Sequence, residues 1–185
     1  MNGGCRISNI DTPNPQSLGH IGENTNGTKK GNDMGLDMYL YAKKYVSNAE
    51  YLKQGDAFDV ITSRVNATGF IKDHLFVEGQ VAYWRKDNAI HNWFITNYAN
   101  GTDDCTPVAI PKEALIELRD LCKMISTMQN PELAMKWLPP VSGFFFGSDQ
   151  IDEWYWGSIQ ETHDMIDNIL KTVPDEWSFE YQASW

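Results

Sequence analysis

Apolar and polar residues alternate along the chain from Met34, and this alternation predicts the first β-strand of a folded domain. Leu36, Met38, Leu40 and Ala42 occupy one set of alternate positions, which would form one face of a strand. Aromatic and polar residues alternate in the same way close to the end of the chain. A strand is therefore expected at 177–182, and short strand segments are expected separately at 58–62 and 69–77.

Apolar residues recur at helical spacing in the middle of the chain. Tyr83, Ile90, Phe94 and Tyr98 follow one another at intervals of seven, four and four residues, so one helix is predicted from Val81 to Tyr98. A second helix is predicted after Pro111, with Leu115, Leu118, Cys122 and Ile125 on its apolar stripe, and a short third one from Glu132 to Leu138.

The longest predicted helix runs from about Asp152 to Val173 and is closed by Pro174. Acidic residues at its start suit the positive end of a helix dipole. Its predicted inner face consists of Tyr155, Ile159, Thr162, Ile166, Ile169 and Val173.

Strands at both ends with helices between them predict an α+β domain. We expect a small antiparallel or mixed sheet, with the first and last strands near each other, packed against about three helices. Residues 1–33 contain six glycines, six asparagines and two prolines, which predicts a flexible N-terminal leader. The single domain would then comprise residues 34–185, and Met34 is a candidate natural start.

The net charge of −10 is concentrated at one end of the chain. Residues 149–185 hold nine acidic side chains against the single Lys171, a net of −8. Such a surface repels phosphates, which disfavours direct binding to nucleic acid. The chain shows no membrane-spanning run or signal peptide, so a cytoplasmic protein without a membrane partner is expected. Three cysteines without a paired spacing are expected to be free thiols, and Cys122 to pack as a small hydrophobe.

Four motifs occur in order over residues 34–185. They are MGLDMYL at 34–40, YWRK at 83–86 with His91 and Trp93-Phe94, SGFFFGS at 142–148 followed by DEWYW at 152–156, and YQASW at 181–185. Together they resemble a family of small bacteriophage and prophage proteins. The resemblance implies a viral setting in the bacterial host cytoplasm and assigns no catalytic residues. Small phage proteins of this kind are often inhibitors or sequesterers that act against host systems.

The segment from Trp84 to His91 is the first candidate for ligand binding. A nucleotide-type ligand needs cations for its phosphate and an aromatic plane for its base. Arg85 and Lys86 supply adjacent positive charges, and Trp84 with His91 would share a face of the predicted helix. The alternative is that the aromatic residues pack in the core and that Asp87 pairs with His91.

The segment from Gly143 to Tyr155 is the second candidate. It is not a phosphate-binding loop of the GK[ST] type, but Ser148 or Asp149 would cap a helix whose free N–H groups can hold an anion. Trp154 and Tyr155 would supply stacking. The three phenylalanines 144–146 cannot all face one side of a strand, so at least one should meet a helix, a partner or a ligand.

Acidic residues form the third candidate. Asp149 with Asp152 and Glu153, or His163-Asp164 with Asp167, lack the spacing of a metal-binding loop. We therefore assign no metal ligand, no catalytic residue and no cofactor. The first group is expected to complement the helix N-terminus and the second to form a solvated face. In the alternative hypothesis, Glu161, Asp164 and Asp167 form an interface for a basic host protein.

These residues favour a non-catalytic protein that sequesters a small anionic, nucleotide-type signalling ligand and so counters a host defence. Its predicted contacts are Trp84, Arg85, Lys86, His91, Ser148, Trp154 and Tyr155. One alternative is an acidic inhibitor that mimics nucleic acid toward a host enzyme, and a second is a metal-dependent hydrolase. Burial of a ligand at an oligomer interface makes a homo-oligomer possible.

Overall fold

The computed structural model describes residues 35–47, 74–143 and 146–185. The predicted leader and the predicted strand at 58–62 lie outside these residues, as do Phe144 and Phe145. The described part forms four strands and four helices, and the α+β prediction is confirmed. In chain order they are β1 (Asp37–Ser47), β2 (His74–Arg85), α1 (Asn88–Tyr98), β3 (Val108–Ile110), α2 (Lys112–Met128), α3 (Pro131–Trp137), α4 (Glu153–Thr172) and β4 (Ser178–Ser184).

The four strands form one antiparallel sheet in the order β2-β1-β4-β3. The first and last strands are neighbours, as expected from the sequence, with Leu40 of β1 opposite Tyr181 of β4. Leu40 also lies opposite Ala82 of β2, and the register shifts after this pair. The shift means that β2 has one extra residue at this point, and such a bulge increases the local twist of the strand.

One face of the sheet, the inner face, packs against the helices. It is formed by the buried side chains of Met38, Leu40, Ala42, Ala82, Trp84, Phe179, Tyr181 and Ala183. Phe94 of α1 stacks on Tyr181 at 4.2 Å between ring centroids and makes an edge contact with Trp84. Stacking of rings in the core adds to the free energy gained from burying apolar area. The core therefore lies between the sheet and one layer of helices.

The opposite, outer face carries the other set of alternate residues. It consists of Asp37, Tyr39, Tyr41, Lys43, Tyr45, Phe76, Glu78, Gln80, Tyr83, Arg85, Glu180 and Gln182. These side chains are half-buried or exposed because the described helices pack on the inner side. An antiparallel sheet commonly buries one face in this way.

The helix predicted from Val81 begins only at Asn88, so its first seven residues were predicted wrongly. Residues 81–85 belong to β2, where Ala82 and Trp84 face inward while Tyr83 and Arg85 face outward. Asp87 then caps α1. Pairing with β1 over eleven positions outweighs the local helical spacing of Tyr83 and Ile90.

The other helix predictions agree closely with the structure. α2 buries Leu115, Leu118, Cys122 and Ile125, as expected from their spacing. α4 buries Tyr155, Ile159, Thr162, Ile166 and Ile169, and packs against α2. Among the described residues, no helix combines the length and the apolar character needed to cross a bilayer.

Candidate functional site

Arg85 and Lys86 lie at the end of β2 beside two glycines. A Cβ atom added to Gly35 would lie 2.7 Å from Lys86 Cε and 3.5 Å from Arg85 Nη2. A Cβ added to Gly147 would lie 3.2 Å from Lys86 Cβ. At Gly35 the close atom belongs to the flexible end of Lys86, whereas Gly147, with φ of 88°, contacts the Cβ and backbone oxygen of Lys86, so glycine is favoured at position 147. We call Gly35, Arg85, Lys86, Gly147 and Ser148 the basic corner.

Asn88 holds the Gly147–Ser148 segment against this corner. Its amide Nδ2 donates to the backbone oxygens of Phe146 at 3.0 Å and Ser148 at 2.7 Å, and its Oδ1 accepts from the backbone N–H of Val141 at 3.1 Å. Asn88 is almost fully buried. Because three hydrogen bonds fix one side chain, the loop is positioned by α1.

Lys86 has a left-handed backbone conformation, with φ of 57°. Its backbone N–H donates to the oxygen of Leu36 at 2.7 Å, which joins the end of β2 to the start of β1. A non-glycine residue in this conformation is strained by about 1 kcal/mol. This conformation places the Lys86 side chain over Gly35 and Gly147. A glycine at position 86 would avoid the strain but would have no side chain to place there.

Arg85 is held on the outer face by an acidic neighbour. Its Nη1 lies 2.9 Å from Asp37 Oδ1, and Tyr83 donates its hydroxyl hydrogen to the same carboxylate oxygen. Burial and this hydrogen bond raise the pKa of Tyr83. An anion arriving at the basic corner would compete with Asp37 for the guanidinium group.

Trp84 and Tyr155 were predicted to stack on a ligand, and both are buried with their polar atoms bonded inside the protein. Trp84 Nε1 donates to Thr162 Oγ1 at 2.9 Å, and Tyr155 donates its hydroxyl hydrogen to the oxygen of Leu138 at 2.8 Å. Burial raises the pKa of Tyr155. In this structure both side chains belong to the core.

His91 is also buried, with 2% of its surface exposed, and lies in a chain of hydrogen bonds. Its Nε2 lies 3.0 Å from Asp103 Oδ2 and its Nδ1 lies 2.7 Å from the hydroxyl of Tyr181. Trp185 Nε1 donates to the other oxygen of Asp103. An ionised carboxylate only accepts, so His91 Nε2 donates to Asp103, and Nδ1 shares a hydrogen bond with the hydroxyl of Tyr181.

The hydrogen-bonding partners of Asp103 favour its ionised form. Burial by itself would raise the pKa of Asp103, but the hydrogen bonds from His91 and Trp185 lower it below the ordinary value. Burial raises the pKa of Tyr181 well above its usual range. The Asp103 and Tyr181 partners of His91 could not be found from the sequence, because they are 12 and 90 residues away from it.

Asp87 lies at the junction of β2 and α1 and is almost fully buried. Its Oδ1 accepts from the N–H of Ile90 at 3.4 Å, while Oδ2 has no hydrogen-bond partner among the described residues. Burial raises the pKa of Asp87 to about 6, against the opposing effects of the Ile90 N–H and the nearby hydroxyls of Ser158 and Thr162. The carboxyl is costly to ionise in the folded state.

Ser148 does not cap a helix, which corrects the prediction that it or Asp149 would. The cap of α4 is Asp152, whose Oδ1 accepts from the N–H of Tyr155 at 3.1 Å. Ser148 Oγ accepts from the N–H of Gln150 instead. Four residues therefore separate Ser148 from the N-terminal N–H groups of the helix, while its backbone is fixed in the basic corner.

The exposed side of α4 carries the predicted acidic interface and one large aromatic side chain. Glu161 and Asp164 are exposed, and Trp154 is 86% exposed. Asp164 accepts from His163 and Gln160, and Asp167 pairs with Lys171. These partners lower the pKa values of Asp164 and Asp167, so both are ionised at neutral pH.

Phe146 packs against His91 and Trp185, with ring centroids 5.2 and 6.4 Å away. This contact agrees with the expectation that at least one of the phenylalanines at 144–146 meets another element. In the described part of the chain, no three acidic, histidine or cysteine side chains are grouped as metal ligands. Cys105 and Cys122 are both buried, and Cys122 is a free thiol.

An apolar pocket of about 250 Å³ lies elsewhere, between the β1–β2 hairpin and the end of α4. Ala42, Val81 and Trp177 are among its walls, and none of the predicted contact residues lines it. Comparison of the chain with protein-family models, curated proteins and solved structures finds no match.

Proposed function

We propose that this protein binds and sequesters a small anionic ligand of nucleotide type, and that the ligand's phosphate lies at the basic corner. The observation that supports the proposal is the packing of Arg85 and Lys86 around Gly35, with Gly147 against the Lys86 stem. Two adjacent cations suit a phosphate, because each can donate charged hydrogen bonds to its oxygens. Over the whole chain, 25 acidic residues outnumber 15 lysines and arginines, so two adjacent cations stand out.

Only some of the seven predicted ligand contacts are kept in this proposal. Arg85, Lys86 and Ser148 would contact phosphate, and Trp154 is the exposed aromatic residue of that set. Trp84, His91 and Tyr155 would act indirectly, because they form the core beneath α1 and α4. The viral setting, in which sequestration would counter a host defence, rests on the motif resemblance.

The first experiment identifies the ligand. The purified full chain is incubated with a mixture of linear and cyclic nucleotides, washed and heat-denatured, and the released molecules are identified by mass spectrometry. Release of an intact nucleotide in proportion to the protein supports sequestration. A chemically altered nucleotide would indicate an enzyme instead, and no released molecule would contradict the proposal.

We predict that the double variant Arg85→Ala, Lys86→Ala binds the retained nucleotide at least about tenfold more weakly, because each lost charged hydrogen bond contributes roughly 1.5–3 kcal/mol. Asp37→Asn should bind it a few-fold more tightly, since the competing carboxylate is gone. Isothermal titration calorimetry measures both effects.

The matched control is Lys123→Ala, Lys136→Ala, which removes two positive charges from exposed sites on α2 and α3. It should bind like the unmodified chain. Equal weakening in the control and in the Arg85, Lys86 variant would show a general charge effect and would refute the basic corner as the binding site.

A second candidate function is favoured by the net charge of −8 over residues 149–185. In that proposal the exposed side of α4 binds a basic host protein and excludes its nucleic acid. Reversal of charge at Glu161, Asp164 and Asp167 to lysine should abolish such binding and leave nucleotide binding intact. Because Glu161, Asp164 and Asp167 are not among the proposed nucleotide contacts, these variants distinguish the two functions.

A further inference from the structure

The apolar pocket between the β1–β2 hairpin and the end of α4 lies outside the proposed nucleotide site. It has a volume of about 250 Å³, and its apolar walls include Val77, Val81, Val173, Pro174 and Trp177. A cavity of about 150 Å³ that is lined by apolar side chains is large enough to bind benzene. By the same proportion, this pocket has room for a ligand of roughly ten non-hydrogen atoms.

Two very small residues form the side of the pocket that belongs to the sheet. Ala42 of β1 and Gly79 of β2 lie opposite each other, and both line the pocket. A Cβ atom added to Gly79 would meet no atom of the described residues within 4 Å, leaving aside its chain neighbours, and the φ angle of Gly79 is not positive. Neither crowding nor backbone conformation therefore requires glycine at this position.

The glycine at position 79 is unfavourable for the strand and favourable for the pocket. Glycine weakens the interior of a strand, and it often marks a place where a ligand approaches the backbone closely. A branched aliphatic residue at position 79 would suit β2 better, and its side chain would fill part of the pocket. The sequence thus keeps this space open at a cost to the stability of the strand.

The polar side chains that line the pocket are bonded within the chain. Thr172 donates its hydroxyl hydrogen to the backbone oxygen of Asn168 at 2.8 Å. Glu78 also lines the pocket, and its Oε2 lies 2.9 Å from Nζ of Lys43. Because both side chains already have partners, neither requires a polar group on a ligand.

The charges beside the pocket are paired as well. Lys44 lies opposite the pocket residue Val77 in the sheet, and its Nζ lies 3.2 Å from Oε1 of Glu176, the residue before Trp177. A rim of paired charges attracts neither anions nor cations strongly. A charged ligand would also lose part of its hydration in the apolar pocket. The surroundings of the pocket therefore favour an uncharged, apolar ligand.

We propose that this pocket is a binding site for an uncharged apolar molecule of roughly ten non-hydrogen atoms. Water in an apolar pocket finds few hydrogen-bonding partners, so its replacement by an apolar ligand is favourable. Ala42 and Gly79 determine the depth of the site, and Trp177 supplies an aromatic wall. The site is separate from the basic corner, because the two share no residue.

The test uses ethylbenzene and two charged analogues, phenylacetate and phenylethylammonium. Each probe is titrated at neutral pH into the isotope-labelled full chain of 185 residues, and the amide signals are followed by NMR. Ethylbenzene should cause saturable shifts at the amides of the pocket, those of Gly79, Val81 and Val173 among them. The charged analogues should bind at least about tenfold more weakly, because neither gains a free partner for its charge.

Variants of Gly79 test whether the open space is the binding site. Gly79→Val should weaken ethylbenzene binding at least about tenfold, because the new side chain occupies the pocket, and it should raise the urea midpoint of unfolding. Gly79→Ala should have smaller effects in the same directions. The matched control is Gly157→Ala on α4, where a Cβ atom meets no atom of the described residues within 4 Å beyond its own helix. It should also raise the midpoint, because alanine favours a helix, and should leave binding unchanged.

Loss of binding in Gly79→Val together with unchanged binding in Gly157→Ala supports the proposal. The proposal is overturned if ethylbenzene causes no saturable shift at the pocket amides, if a charged analogue binds as tightly, or if folded Gly79→Val binds like the unmodified chain. Circular dichroism shows whether each variant is folded. Should Gly79→Val fail to fold, Gly79→Ala decides, and unchanged binding in that variant overturns the proposal.

Discussion

At the scale of single residues, the surroundings of Asp87 disfavour its usual negative charge. Its pKa is raised to about 6 in the folded state from 3.8, because burial disfavours the carboxylate. The native state therefore binds this proton more tightly than the unfolded state does. The stabilising contribution is fully present below the unfolded value and is lost as the pH rises through about 6.

We predict that Asp87→Asn removes about 3 kcal/mol of pH dependence from the free energy of unfolding between about pH 4 and pH 7, since a shift of about two pKa units corresponds to that energy. Asparagine keeps an oxygen that can accept from Ile90. Urea unfolding at a series of pH values measures the difference between the two proteins.

The control for this prediction is Asp104→Asn, because the Asp104 carboxyl is exposed. This variant should retain the pH dependence that is due to Asp87. If the unmodified chain and Asp87→Asn gave parallel stability profiles from about pH 4 to 7, the buried carboxyl would not be the titrating group.

The hydroxyl of Tyr181 supports the second prediction at this scale. Tyr181→Phe should lower the free energy of unfolding by about 1–3 kcal/mol, because Nδ1 of buried His91 loses its hydrogen-bond partner. Tyr83→Phe removes a hydroxyl that bonds Asp37 at an exposed site, so its cost should be much smaller. If urea unfolding gave the same loss of free energy for both variants, the buried bond to His91 would contribute no more to stability than the exposed bond to Asp37.

At the scale of elements, the junction between β2 and α1 decides the geometry of the basic corner. β2 ends at Arg85, Lys86 turns the chain with a left-handed backbone, and Asp87 caps the helix. The first residue of α1, Asn88, then fixes the opposing loop. Four consecutive residues thus end a strand, reverse the chain, start a helix and hold the Gly147–Ser148 segment.

We predict that Lys86→Gly raises the free energy of unfolding by up to about 1 kcal/mol, because glycine adopts a positive φ without strain. Gln129→Gly relieves the same conformation at the end of α2, where φ is 44°, and is the matched control. Thermal unfolding should show a similar gain for both variants, whereas only Lys86→Gly should weaken nucleotide binding. A loss of stability confined to Lys86→Gly would mean that the packing of its stem outweighs the strain.

At the scale of the whole molecule, the two-layer architecture separates three kinds of surface. The outer face carries aromatic side chains, the exposed side of α4 carries carboxylates, and the basic corner lies where β1 begins and β2 ends. Apart from Arg85, the surfaces share no residue. Substitutions on one surface should therefore act almost independently of those on another, because distant sites contribute additively.

The sequence by itself determined the elements whose periodicity is local. β1 and β4 are predicted by alternation, and α2 and α4 by helical spacing of apolar residues. Each of these elements buries one face, so its buried residues recur along the chain at the period of that element. The same patterns give the α+β class. The acidic character of the last 37 residues is likewise a property of the sequence alone.

Only the tertiary structure decided whether residues 81–85 form a strand or a helix. Their apolar spacing fits a helix, but pairing with β1 makes them a strand and places Trp84 in the core. Tertiary structure also brought Asp103 and Tyr181 to His91, and Gly35 and Gly147 to Lys86. These contacts join residues that are 12 to 90 positions apart, and the energy of such pairing depends on neighbours that no local pattern contains.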